Sequence, residues 1–265
     1  MAVISPKADV ISPAGLADDV RVGPFTHVGP DVTVEAGTVV HNNVTLTGRT
    51  RIGSGCELFP GCVVGCAPAG AAPGGRCVIG DGNTVREHVI VEAGESPDSP
   101  GTVLGSNNLL MVGCQVAHDA HLGDEGLFAN FTRIERHARI EEFVRTSGFT
   151  VVRPHATVGA YAFTTGYARI DTDAPPYAIM QGFPSRPRAV NTENLRRCGF
   201  DADTIARIKA AFRALFDGRD GFPEADRLAA VERDFADAPV RRLVESVRLA
   251  AASPTGRRLE PAEAG

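Results

Sequence analysis

Tryptophan is absent from this chain of 265 residues and tyrosine occurs 3 times, whereas glycine and proline number 29 and 18. That balance favours many short strands joined by tight turns over long helices. No run of about 18 apolar residues occurs, so no membrane span is expected. The first ten residues, Met1–Val10, carry one lysine and no apolar stretch of signal-peptide type. A soluble, cytoplasmic protein is the expectation. Long basic runs are also missing, and the net charge of -5 argues against an electrostatic grip on nucleic acid. Six cysteines (Cys56, Cys62, Cys66, Cys77, Cys114 and Cys198) form no CxxC pair and no regular spacing. Neither a zinc site nor a disulfide framework is therefore expected, and most of the thiols should be small buried apolar groups. What is present in quantity is apolar surface, 43% of the residues, enough for the packed core of one or two domains.

The apolar residues are ordered. Counting by six from Ile4 gives Val10, Leu16, Val22, Val28, Val34, Val40, Leu46, Ile52, Leu58 and Val64. A strand repeats every 2 residues and a helix every 3.6, so this period belongs to neither and marks a parallel β-helix. The frame breaks at Cys66–Cys77, resumes at Ile79, Val85 and Val91, and breaks again at Glu92–Val103. Both breaks read as loops thrown out of the coil. Rungs return at Leu104, Leu110, Val116, Leu122, Phe128, Ile134, Ile140, Val152, Val158 and Ile170, with Thr146 and Thr164 as polar exceptions. A small or β-branched residue often stands four places after the aliphatic one, a slot that suits a sharp corner.

Beyond Pro175-Pro176-Tyr177 the pattern changes. Ile205, Ile208, Phe212 and Leu215 share one helical face within Asp201–Phe216, with Asp201 or Asp203 as N-cap. Leu228, Val231 and Phe235 suggest a second helix, and Val240, Leu243, Val244 and Val247 a third. The predicted organisation is a mainly β chain: a β-helix over residues 1–188, a helical domain over 189–252, and a disordered polar tail over 253–265.

In hexapeptide β-helices three rungs make a turn of about 18 residues, with turns stacked at the inter-strand spacing of roughly 4.7 to 4.9 Å. His118, Arg136 and Pro154 then share one column, and Asp119, His137 and His155 the next. A histidine titrating near neutrality can take a proton from a hydroxyl while a neighbouring carboxylate orients its ring. His118 and Asp119 fit those roles, although a solvated turn carrying surface imidazoles fits as well. Zinc held by three histidines, as in gamma-class carbonic anhydrases, is a second reading. His118 and His121 form a close pair, but no further histidine completes that pattern, and no metal is expected. A non-catalytic scaffold is the third.

Several stretches in the same order, Val22–Pro30 (VGPFTHVGP), Gly105–Met111 (GSNNLLM), Ala117-His118-Asp119, Pro175–Gly182 (PPYAIMQG) and Asn191–Phe200 (NTENLRRCGF), resemble the UDP-N-acetylglucosamine O-acyltransferases that begin lipid A synthesis. The resemblance covers nearly the whole chain. It implies a homotrimer of left-handed β-helices with active sites between subunits. It also implies transfer of an acyl or 3-hydroxyacyl chain from acyl carrier protein to the sugar 3-hydroxyl, the donor being a phosphopantetheine thioester and no cofactor being needed. By resemblance His118 is the general base and Asp119 its support. The backbone N–H of Arg136 matches an oxyanion donor, His137 a residue near sugar and acyl group, and Asn191, Glu193 and Arg197 contacts to acceptor or phosphopantetheine. Gly166 lies in the stretch that sets acyl length.

Departures from the family pattern cluster on the acceptor side. Arg136 replaces a glycine, Gln115 a histidine, Arg153-Pro154 a His-Gln pair, and Cys198 an arginine. The loop that supplies an aspartate and a lysine is shortened to the Ala/Pro/Gly stretch Cys66–Cys77. An altered acceptor or donor is the corresponding expectation, with a coenzyme A-dependent sugar acyl- or acetyltransferase as the alternative. Arg196, Arg197, Arg207, Lys209 and Arg213 offer positive charge to an acidic carrier protein, or are ordinary solvated helix faces.

Overall fold

A computed structural model describes residues 1–71, 74–216, 222–235 and 237–261. Most rungs are two-residue strands whose second, aliphatic member points inward, as at Arg21–Val22, His27–Val28 and Thr33–Val34. Each strand pairs in parallel with the strand one turn later, so the coil itself supplies the crossover that parallel pairing needs. Three faces result. The first contains Arg21–Val22 and Leu127–Phe128, the second Gln115–Val116 and Arg133–Ile134, and the third His121–Leu122 and Arg139–Ile140. Val22 pairs with Val40, Leu110 with Phe128, and Gln115 with Arg133, which is the expected stacking by 18.

The two breaks lengthen the turn while parallel pairing continues across both, with a bulge between Val64 and Cys66 where the first begins. Val63 pairs with Ile90 across the first and Ile90 with Gln115 across the second, turns of 27 and 25 residues. Leu46, Ile52, Leu58, Leu110, Phe128, Ile134 and Ile170 fill the interior with under 2% exposure. Each such side chain contributes about 1.5–3 kcal/mol through removal from water.

The polar exceptions have partners. Thr146 Oγ1 meets Thr132 Oγ1 at 2.7 Å and accepts from the Ala129 N–H at 3.0 Å. Thr164 Oγ1 pairs with Thr150 Oγ1 at 2.9 Å. Hydroxyls bonded to each other and to backbone avoid the cost of an orphaned buried polar group. The slot four places after the aliphatic residue is a second inward column. It holds Thr26, Thr38, Asn83, Asn108, Thr132 and Thr150, all buried. Cys56, Cys62 and Cys114 occupy the same slot, where the Cys56 Sγ reaches the Gly80 carbonyl at 3.1 Å and the Cys62 Sγ the Arg86 carbonyl at 2.8 Å. Burial pushes the Cys62 and Cys114 thiols up to about 11 and Cys77 to about 12. All six thiols are free; Cys66 and Cys198 are only half-buried.

The coil ends in an antiparallel hairpin, Ala178–Gly182 with Ser185–Val190, which carries the chain across the expected domain boundary. Four helices follow: α1 (Thr192–Arg197), α2 (Ala202–Phe216), α3 (Ala225–Asp234) and α4 (Ala238–Ala252). Asn191 caps α1, a helix too short to show in the apolar periodicity. Asp201 caps α2 by accepting the Thr204 N–H at 2.7 Å, which leaves Asp203 inside the first turn. Phe235 lies just past the end of α3 instead of within it. Arg242 of α4 ties the helices to the coil through Glu141 and Glu142.

The segment from Ser253, expected as a loose tail, is placed against the coil. The Asp173 N–H donates to the Gly256 carbonyl at 2.7 Å, and Arg258 reaches Glu141 at 2.8 Å and lies 3.9 Å from Asp173. The reason is charge: Glu141 and Asp173 are recessed carboxylates, with 17% and 2% side-chain exposure, that need a cation. The last four residues of the expected tail, 262–265, lie outside the described set.

Candidate active site

Between the second and third faces the coil turns a corner at residues 117–120, 135–138 and 153–156. Asp119, His137 and His155 hold left-handed backbone there, with φ of 57°, 55° and 62°. Aspartate tolerates that conformation well, because its short polar side chain bonds locally. The Asp119 carboxylate is fully enclosed and accepts three hydrogen bonds: from His118 Nδ1 at 3.0 Å, the Glu95 N–H at 3.0 Å and the Gly101 N–H at 2.9 Å. Its own N–H donates to Thr102 Oγ1 at 2.9 Å. Burial alone would raise its pKa, but the donors outweigh it, His118 first, and bring the carboxyl down to about 2.

An ionised Asp119 fixes the tautomer of His118. Only a protonated Nδ1 can donate to the carboxylate, so the Nε2 lone pair faces away and is basic. The His118 side chain keeps 14% exposure. His137 meets it edge to face with centroids 5.4 Å apart, and His155 stacks on His137 at 4.8 Å and 10° between planes. Desolvation lowers the pKa of His137, with His118 and Arg136 adding to the effect and Asp119 and Glu95 opposing it. Desolvation and the His137 charge lower that of His155. Both rings are therefore neutral at neutral pH.

The backbone N–H of Arg136 donates to no acceptor among the described residues, whereas the N–H groups of His118 and His137 are taken by Glu92 Oε2 and the His118 carbonyl. The Arg136 and Arg153 side chains are exposed on the same edge, and Gln115 is exposed on the second face just before the corner. His118, Asp119, Arg136, His137, Arg153 and Gln115 are thus brought together within one chain.

The remaining predicted residues lie elsewhere. Asn191 donates its side-chain amide to the Tyr161 carbonyl at 2.9 Å and is 7% exposed, so that amide holds the helix to the coil. Its neighbour Asn194 donates to the Phe143 carbonyl. Phe143 and Tyr161 belong to the corner between the third and first faces, one corner away from His118. Glu193 and Arg197 form an exposed ion pair at 3.1 Å on that helix. Gly166 sits exposed at the third corner, between the first and second faces, where an added Cβ would meet nothing nearer than 3.8 Å.

Two residues of the site escaped sequence reasoning. Glu92 receives the His118 N–H at 3.0 Å, and Glu95 both donates its own N–H to Asp119 and brings its carboxylate near the histidines. Both belong to the second break, where stacking by 18 gives no register. The one available signal was that the loop returns to the rung directly beneath Asp119.

Similarity to known proteins agrees with this geometry. Residues 173–256 match the family model described as Udp N-acetylglucosamine O-acyltransferase, domain 2, and residues 13–48 match the bacterial transferase hexapeptide model of six repeats. The acyl-(acyl-carrier-protein)-UDP-N-acetylglucosamine O-acyltransferase of Janthinobacterium is 34% identical over 264 residues, covering 97% of this chain and 99% of that one. The enzyme of the same name from Rhizobium johnstonii is 33% identical over 237 residues, 88% and 86% of the two chains. Among solved structures, the UDP-N-acetylglucosamine acyltransferase of Bacteroides fragilis superposes with a TM-score of 0.82 at 30% identity, over 93% of this chain and 95% of that one. The Arabidopsis enzyme gives 0.79 at 26% identity, over 96% of each. Identity at this level, sustained from the first rungs to the last helix, means that the chain belongs to the UDP-N-acetylglucosamine O-acyltransferase family.

Proposed function

We propose that the protein transfers an acyl or 3-hydroxyacyl chain from the phosphopantetheine thioester of acyl carrier protein to the 3-hydroxyl of a UDP-linked amino sugar. The observation that carries this reading is the enclosed, ionised Asp119, one oxygen of which lies 3.0 Å from His118 Nδ1 and so turns Nε2 away from it as the acceptor nitrogen of that ring. His118 Nε2 takes the sugar hydroxyl proton as the oxygen attacks the thioester carbonyl. The Arg136 N–H donates to the oxyanion of the tetrahedral intermediate. As that intermediate collapses the C–S bond breaks, and the imidazolium returns its proton to the leaving thiolate. Sugar ester and free carrier thiol are the products, and no covalent enzyme intermediate is formed.

The acceptor-side helix stands one corner away from His118 within its own chain, which supports a site shared between copies of a homotrimer. Glu193 and Arg197 of one copy then face the His118 edge of the next, with Asn191 holding their helix in place, and Gly166 limits the acyl tail. Arg136 and Arg153 add positive charge beside the base, which suits the diphosphate of a nucleotide sugar.

A panel of UDP-sugars with matched acyl-carrier-protein and acyl-coenzyme A donors, read by mass spectrometry, tests the reading. Ester formation from the carrier-protein donor is expected, with His118→Ala lowering the rate by about 10²–10⁴. Preference for coenzyme A would reassign the donor. Absence of product with every pair, or full activity of His118→Ala at saturating substrate, would overturn it.

A further inference from the structure

The second loop does more than brace Asp119. Glu95, His118, Asp119 and His137 each present one ligand-capable atom, and these four atoms lie within 4.8 Å of one another. The set is two imidazoles and two carboxylates, donors that suit Zn²⁺. Asp119 is pinned by the Gly101 and Glu95 N–H groups. His137 is held in plane by the stack with His155. The Glu95 carboxylate is exposed and makes no hydrogen bond or ion pair among the described residues, so it is free to close on an ion. Ligand atoms around a tetrahedral zinc at about 2.0–2.1 Å stand roughly 3.3 Å apart. Closing from the present spread is within the reach of one glutamate rotamer and small imidazole rotations.

We propose that these four residues form a zinc-binding site that switches off acyl transfer, with Glu95 as the ligand that confers the affinity. This rests on His118 being the base. Asp119 lies on the Nδ1 side of the ring, so an ion shared with it binds Nδ1 and moves the ring proton to Nε2, which removes the lone pair that would take the sugar proton. Two carboxylates and two neutral imidazoles leave the bound dication neutralised, and Glu92 beside the His118 N–H offsets the nearby Arg136 guanidinium.

Calorimetry with ZnCl₂ in a non-chelating buffer, on the full chain, measures the site without reference to activity. Cobalt(II) absorption reports whether the geometry is tetrahedral. Expected are one tight ion per chain and a loss of affinity of about tenfold or more in Glu95→Gln and His137→Gln, in line with losing one ligand. Zinc should inhibit wild type, and Glu95→Gln at least about tenfold less potently, each measured against its own zinc-free rate. Equal affinity in wild type and Glu95→Gln, or equal inhibition of both, would overturn the site while leaving the acyltransferase reading intact. A normal zinc isotherm together with an active His118→Ala enzyme would overturn the base and leave the site standing.

Discussion

Replacing Asp119 by asparagine tests the core of the mechanism with a change of one atom. The carboxylate accepts from three directions, and an amide cannot. With Oδ1 toward Gly101, the amide NH₂ confronts the Glu95 N–H and turns His118 Nδ1 into an acceptor, which moves the ring proton to Nε2 and abolishes the base. With Oδ1 toward His118 and Glu95, the Gly101 N–H is orphaned and the loop loses its anchor. The stability term follows from linkage. The carboxyl titrates at about 2 in the fold against 3.8 when unperturbed, and 1.36 kcal/mol per unit gives about 2 kcal/mol. Because the folded pKa is depressed, this contribution is fully present above 3.8 and is lost as pH falls through 2. Urea denaturation at pH 7, at fixed protein concentration, should therefore show Asp119→Asn weaker by about 2 kcal/mol. Its kcat should fall by about 10²–10⁴, the usual worth of a general base. A variant with kcat within twofold of wild type and an unchanged midpoint would refute both the tautomer argument and the anchoring role.

Three further outcomes are expected. Phe128→Ala, which empties the bulkiest position of a fully buried column, should cost about 3–5 kcal/mol in a denaturant titration. Asp173 is 3% exposed and desolvation pushes its carboxyl up to about 6. A raised folded pKa means that its relative stability contribution is fully present below 3.8 and lost as pH rises through 6, about 3 kcal/mol in all. Asp173→Asn should flatten the stability profile by that amount between pH 4 and 7, seen as a wild-type-minus-variant difference in midpoint. His155→Ala should lower kcat/KM by about two- to tenfold through loss of the stack on His137, worth about 0.5–1.5 kcal/mol, and His155→Phe should restore it.

The sequence disclosed the coil almost rung by rung, because an 18-residue turn forces every inward position to repeat its chemistry. It disclosed the histidine column for the same reason. Thr146 and Thr164 looked like misses since their partners, Thr132 and Thr150, are 14 residues back, an offset set by the inward corner column and not by strand register. Glu92 and Glu95 stayed hidden because a loop has no period to place them. The tail past Ser253 read as disordered because its anchors are arginines, and whether an arginine is solvated or paired depends on distant carboxylates such as Glu141.

The 25-residue turn that ends at Gln115 has a wider meaning. A perfect solenoid has translational symmetry, and no corner differs from the one above it. The seven extra residues act like a dislocation in a one-dimensional crystal, and the enclosed aspartate that holds His118 lies where the lattice is interrupted. Chemistry of this kind can be relocated along the coil by moving the interruption, while the regular turns on either side need not change.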